Sequence, residues 1–179
     1  MRMVLVVLLV FMVPGFGGCK RASRGQEVAA KIRAANETLA RSTKAGGEWT
    51  NEYMKAFNPQ SRAQFPANRA SLKASAEKVI KSLDEQQRLS KEAIQQYEQA
   101  QGMLSDAQQR KGMGLIISSL KKSLQSDDLF KSQMQLVSDE SIVDEKTLNE
   151  RFGRLAEEIG GIRRETQAEL EEGRRLLGW

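Results

Sequence analysis

Apolar residues recur at alternating steps of four and three positions over most of the chain after residue 26. Residues three and four positions apart lie on one face of an α-helix, so this spacing predicts long amphipathic helices, each with a narrow apolar seam. The seams of the first two segments comprise Val28, Ile32, Ala35, Leu39, Ser42, Gly46, Trp49, Tyr53 and Ala56, and then Leu72, Ala76, Val79, Leu83, Gln86, Ser90, Ile94, Tyr97, Gln101, Leu104 and Gln108. We therefore predict an all-α fold, an elongated antiparallel helical bundle with coiled-coil-like packing.

Prolines, glycines and polar clusters divide this helical domain, residues 26–179, into segments. Two prolines between residues 58 and 66 predict a first loop, and the glycines of the run KGMG predict a hinge near residue 112. The run SDD at 126–128 predicts a helix end followed by an N-cap. The predicted helices cover about 26–57, 66–111, 113–125, 128–138 and 143–177. Three long segments then fold back on one another, or they pair between chains in a homo-oligomer.

The predicted seam of the second segment contains several polar residues. Gln86, Ser90, Gln101 and Gln108 fall at positions that a fully apolar core would fill with leucine or isoleucine. Packing along this segment is therefore predicted to be polar and loose.

Composition excludes several kinds of chemistry. The chain contains no histidine and one cysteine, which removes Ser-His-Asp and Cys-His catalysis, an intrachain disulfide and a thiolate metal cluster. Its 28 basic and 23 acidic residues are interspersed rather than gathered in a basic stripe, so nucleic-acid binding is not expected. We predict no catalytic residues, no metal, no cofactor and no enzymatic activity.

The first eighteen residues have the layout of a secretory signal peptide. Arg2 precedes an unbroken apolar run of eleven residues, Met3 to Val13, which Pro14 and Gly15 interrupt. Eleven helical residues rise only about 16 Å, against about 30 Å for the hydrocarbon core of a bilayer. An uncleaved signal anchor is the alternative interpretation of this segment.

The four residues Phe16-Gly17-Gly18-Cys19 resemble the lipobox of bacterial lipoproteins, although Phe16 stands where leucine is usual. The resemblance implies cleavage between Gly18 and Cys19, with fatty acyl chains such as palmitate on Cys19 as the link to the membrane. Residues 1–18 are then the signal peptide and residues 19–25 a lipidated tether. An aspartate directly after the cysteine resembles an inner-membrane retention signal, whereas this chain has Lys20 at that position. The resemblance therefore favours the periplasmic face of an outer membrane.

These features together predict an envelope lipoprotein with a non-enzymatic helical domain that is structural or binds an unidentified protein partner. The alternative is a periplasmic chaperone or pilot-like module that captures hydrophobic segments of a client. That alternative requires an exposed apolar face, for which the candidates are Leu115, Ile116, Ile117, Leu120, Leu124 and Phe130.

Overall fold

The computed structural model describes residues 19–179, with side chains from residue 24 onward, and this part of the chain is an all-α bundle. Its helices are α1 (Cys19–Ala56), α2 (Pro59–Ala63), α3 (Arg69–Met103), α4 (Ala107–Gln135) and α5 (Glu145–Leu177), with a 3₁₀ turn at Leu136–Ser138. The predicted all-α fold is confirmed. Residues 19–25, predicted as a tether, lie within α1, and none of the helices described here is apolar enough over a sufficient length to cross a membrane.

The four long helices run alternately up and down. Lys31 on α1 donates to Gln99 near the end of α3, and Lys122 on α4 pairs with Glu165 in the second half of α5. Helix α1 packs on α3, α3 on α4, and α4 on α5. One end of the bundle, here called the terminal end, carries the beginning of α1, residues 104–106 and the carboxyl terminus. The opposite end, called the loop end, carries residues 57–68 and 139–144.

Side-chain caps fix where several helices begin. The carboxylate of Asp106 accepts from the backbone N–H of Gln109 at 2.7 Å, and that of Asp144 accepts from Thr147 N–H at 2.8 Å. Such caps satisfy backbone donors that have no partner within the first helical turn. Helix α5 ends at Gly178, whose φ of 72° is the left-handed conformation that glycine adopts without steric cost.

The predicted breaks between helices are wrong at three points. The segment predicted over 66–111 ends at Met103, because Leu104 is extended and Asp106 caps a new helix. The breaks predicted at 111–113 and 126–128 do not occur, since α4 runs without interruption to Gln135. Tertiary packing accounts for this continuity, because Gly112, Ser126 and Asp127 are buried on the interior face of α4. The bundle therefore has four long helices rather than three long segments.

Two apolar clusters form the core. The loop-end cluster includes Leu83, Phe130 and Phe152, with Trp49 and Phe130 packed at 4.6 Å between ring centroids. The terminal-end cluster includes Tyr97 and Met113. Burying one such side chain contributes roughly 1.5–3 kcal/mol relative to exposure. Side chains from α1, α3, α4 and α5 enter both clusters, so the clusters hold the four helices together.

Candidate functional site

A layer of polar side chains lies between the two apolar clusters, half-way along the bundle. Its buried members are Ser42 from α1, Gln87 and Ser90 from α3, and Ser126 and Asp127 from α4, with Gln86 half-buried beside them. Buried polar groups are costly unless they are hydrogen-bonded. This layer is therefore the part of the described core where polar chemistry is concentrated, and we take it as the candidate site.

Helices α1 and α3 are joined within the layer by three hydrogen bonds. Ser42 Oγ donates to the carbonyl oxygen of Gln86 at 3.1 Å, and with that proton engaged the Ser90 hydroxyl donates to Ser42 Oγ at 2.8 Å. About two turns further along α1, Trp49 Nε1 donates to Gln86 Oε1 at 2.5 Å. The polar seam predicted for this segment is thus a set of specific contacts, with Gln86 at their centre.

Asp127 brings a carboxyl group into this layer from α4. The residue is only 6% exposed, and the Gln86 amide nitrogen, Nε2, donates to its Oδ2 across a long 3.5 Å. Burial raises the pKa of this carboxyl to about 7, because a charge is disfavoured away from water. The positive charge of Arg163 on α5 lowers the pKa, whereas the neighbouring Asp128 raises it further.

The layer continues to the surface between α3 and α4 through a second network. Gln87 Nε2 donates to Asp128 Oδ1 at 2.7 Å, while Lys131 Nζ donates to Gln87 Oε1 at 2.5 Å and pairs with Asp84. Asp128 and Lys131 are thereby occupied by partners on α3. Neither forms an ion pair with the Asp127 carboxyl among the residues that the structure describes.

What this arrangement can do chemically is bind and release one proton at Asp127. The adjacent hydroxyls of Ser42 and Ser90 are hydrogen-bonded to each other, and the Gln86 amide is bonded at both its oxygen and its nitrogen. Across the described residues, no group of three or more acidic or cysteine side chains is placed to hold a metal ion. The site is therefore a proton-accepting position inside a hydrogen-bonded layer.

The residues predicted as an exposed interaction face lie inside the bundle. Ile116, Ile117 and Phe130 are buried, and Leu115, Leu120 and Leu124 are half-buried. Four of them (Ile116, Ile117, Leu120 and Leu124) belong to the terminal-end cluster, and Phe130 belongs to the loop-end cluster. In this fold Leu115 is half-buried outside both clusters. The other five residues are packed within the chain, so the six do not form an open apolar surface.

The large apolar residues that are exposed in the described part of the chain are others. Val143 is 68% exposed in the connection before α5, and Met54 is 56% exposed near the end of α1. Neither position belongs to an apolar seam, so the helical period gave no reason to single them out.

The predicted signal peptide and lipobox lie largely outside the described residues. Residues 1–18, with Gly18 of the predicted cleavage site, are not part of the structure described here, and Cys19 is the first residue of α1. Lipidation of Cys19 stays a prediction from the sequence. Comparison of the chain with known protein families, with curated proteins and with solved structures finds no match.

Proposed function

We propose that this chain is a lipoprotein of the bacterial cell envelope, anchored through Cys19, whose helical domain has a structural or protein-binding role without catalysis. One observation carries the proposal. The chain's sole cysteine follows an apolar segment of signal-peptide length and two small residues, Gly17 and Gly18. Two or three acyl chains on such a cysteine hold a protein stably at a membrane, whereas one chain binds only marginally.

The dimensions of the bundle support a structural role. Helix α1 contains 38 residues from Cys19 to Ala56. At 1.5 Å of rise per residue it is about 57 Å long, and α3 packs along it over much of that length. An anchor at Cys19 gives the domain a reach of that order from the membrane to the loop end.

Metabolic labelling with an alkyne-tagged fatty acid in a bacterial host tests the anchor. We expect the native chain to become labelled and the Cys19→Ala variant to carry no label. The Ser23→Ala variant is the matched control, because it changes a small residue of the same segment and leaves the cysteine in place. Equal labelling of the native and Cys19→Ala chains would refute the proposal.

The membrane that receives the protein is a separate part of the proposal. Lys20 follows the cysteine, and aspartate at that place resembles the inner-membrane retention signal. In a host with two membranes we expect the native chain to fractionate with the outer membrane and Lys20→Asp to move to the inner membrane. Unchanged fractionation of the variant would remove the argument for outer-membrane sorting.

The chaperone or pilot-like alternative makes a different prediction. It requires the segment 115–130 to open, although most of the apolar residues of this segment are packed into the two clusters. Hydrogen exchange separates the two functions: rapid exchange over this segment in the folded protein favours client binding, whereas strong protection favours the structural role.

A further inference from the structure

Asp127 is unusual because an ionisable group lies between two apolar clusters without a committed counter-charge. The residue is 6% exposed, and no ion pair involves its carboxylate in the part of the chain that the structure describes. Removing one charge from water costs several kcal/mol unless a partner offsets the loss. The folded bundle therefore favours the neutral carboxylic acid at this position.

The groups that face Asp127 differ among the four helices. From α5, Arg163 contributes a positive charge, and from α4 itself Asp128 and Lys131 contribute charges of opposite sign. Lys131 is engaged by Asp84 and Gln87 of α3. The neighbours from α3 and α1 are the neutral side chains of Gln86 and, through it, Trp49. Of the two cations, Lys131 forms an ion pair with Asp84, whereas Arg163 forms no ion pair with an acidic residue in the part of the chain that the structure describes.

Gln86 connects the carboxyl group to α1. Its amide nitrogen donates to Asp127, and its amide oxygen accepts from the Trp49 indole. Trp49 also packs against Phe130, which lies three residues after Asp127 and one turn along the same helix. A change at the Asp127 carboxyl group therefore affects the packing of Trp49, and with it α1, in two ways: through the hydrogen bonds of Gln86 and through the contact between Phe130 and Trp49.

We propose that the polar layer is a proton-operated switch: the bundle is closed when Asp127 is neutral, and ionisation of Asp127 admits water and loosens α1 at Trp49. The proton leaves the carboxyl oxygen for bulk water, and no other reactant takes part. The water that enters the layer solvates the new carboxylate charge, which the apolar clusters cannot do. Because burial raises the pKa of Asp127 to about 7, the transition is centred near neutral pH.

Fluorescence of Trp49 tests the switch in the full chain held in detergent. A Trp179→Phe background leaves Trp49 as the sole tryptophan, since the chain has two. We expect acrylamide quenching to increase as the pH rises from 5 to 9, with a midpoint near 7. Asp127→Asn should abolish the increase. Asp128→Asn, at the exposed neighbouring position, should keep the increase with its midpoint at a lower pH, because the Asp128 charge raises the pKa of Asp127. An unchanged transition in Asp127→Asn, or a flat profile in the background chain with native helical content, would overturn the proposal.

A second pair of variants distinguishes the switch from a general effect of pH. Arg163 lowers the pKa of Asp127, so Arg163→Gln should move the midpoint to higher pH. Arg164→Gln removes an adjacent exposed charge and should leave the midpoint unchanged. Equal shifts in the two variants would show that net charge, and not the field at Asp127, governs the transition.

Discussion

Helices α4 and α5 cross at two glycines, Gly112 and Gly173, and this close contact allows a quantitative test of the fold. A Cβ added at Gly112 would lie 2.9 Å from the carbonyl oxygen of Gly173 and equally close to Leu176 Cβ and Leu177 Cγ. Real Cβ atoms do not approach backbone atoms so closely, so the Gly112→Ala variant requires α4 and α5 to move apart. Overpacking of this kind costs about 1–3 kcal/mol.

The intrinsic preference of the helix acts in the opposite direction. Alanine is favoured over glycine in a helix interior by about 1 kcal/mol. At Gly153 of α5 a Cβ meets nothing within 4 Å, so Gly153→Ala should show this gain alone. We therefore expect Gly153→Ala to be stabilised by about 1 kcal/mol. Gly112→Ala should be less stable than Gly153→Ala by about 1–3 kcal/mol.

Urea unfolding followed by circular dichroism at 222 nm measures both variants against the native chain. Gly173→Ala provides the reciprocal test, because its Cβ would lie 2.9 Å from the Gly112 carbonyl oxygen. If Gly112→Ala and Gly173→Ala were stabilised as much as Gly153→Ala, the close crossing of α4 and α5 would be refuted. Gly112 would then act as a flexible position, as its sequence context suggests.

Three further predictions concern the interior. The pKa of Asp127 is about 7 in the folded protein against an ordinary value of 3.8, so the free energy of unfolding of the native chain should fall as the pH rises from 4 to 7. Asp127→Asn avoids this loss and should be more stable than the native chain at pH 8, by up to about 4 kcal/mol. Urea unfolding at several pH values measures this difference; an equal gain in Asp128→Asn would contradict the assignment. Tyr97→Phe leaves the Asn36 side-chain oxygen without its hydroxyl donor and should cost about 1 kcal/mol, measured by thermal unfolding. Leu83 is fully buried in the loop-end cluster, so Leu83→Ala should cost about 2–5 kcal/mol, and native-like stability would show that this cluster is not the core.

The helical period predicted the interior face of α1 and α3 well. Ala35, Trp49, Val79 and Leu83, which lie on the predicted seams, are all buried. Periodicity succeeds here because burial on one face of a helix imposes the same spacing on the sequence.

The breaks between helices were harder to predict, because local propensity and tertiary packing act in opposite directions. Gly112 weakens an isolated helix, yet in the fold its missing side chain lets α4 approach α5. The true break near Leu104 carries no glycine or proline at its centre. Its signal is the Asp106 cap, which is recognisable once the helix that it begins is known.

The polar layer could be predicted only in part. Gln86 and Ser90 stand out as polar members of an apolar seam, and that suggested weak packing along α3. Their partners Trp49 and Asp127 come from α1 and α4, and pairing between helices depends on the axial register of the bundle, which the sequence pattern does not specify. The run SDD that contains Asp127 instead favours a helix end followed by an N-cap, because serine and aspartate are common N-cap residues.

Mass spectrometry of the amino-terminal fragment of the protein, purified from bacterial membranes, tests the proposed anchor most directly. We predict a fragment that begins at Cys19 and carries a glyceride thioether and fatty acyl chains. The Cys19→Ala variant should yield no acylated fragment. A native fragment that begins at Met1, or one that begins at Cys19 without any acyl chain, would contradict the account.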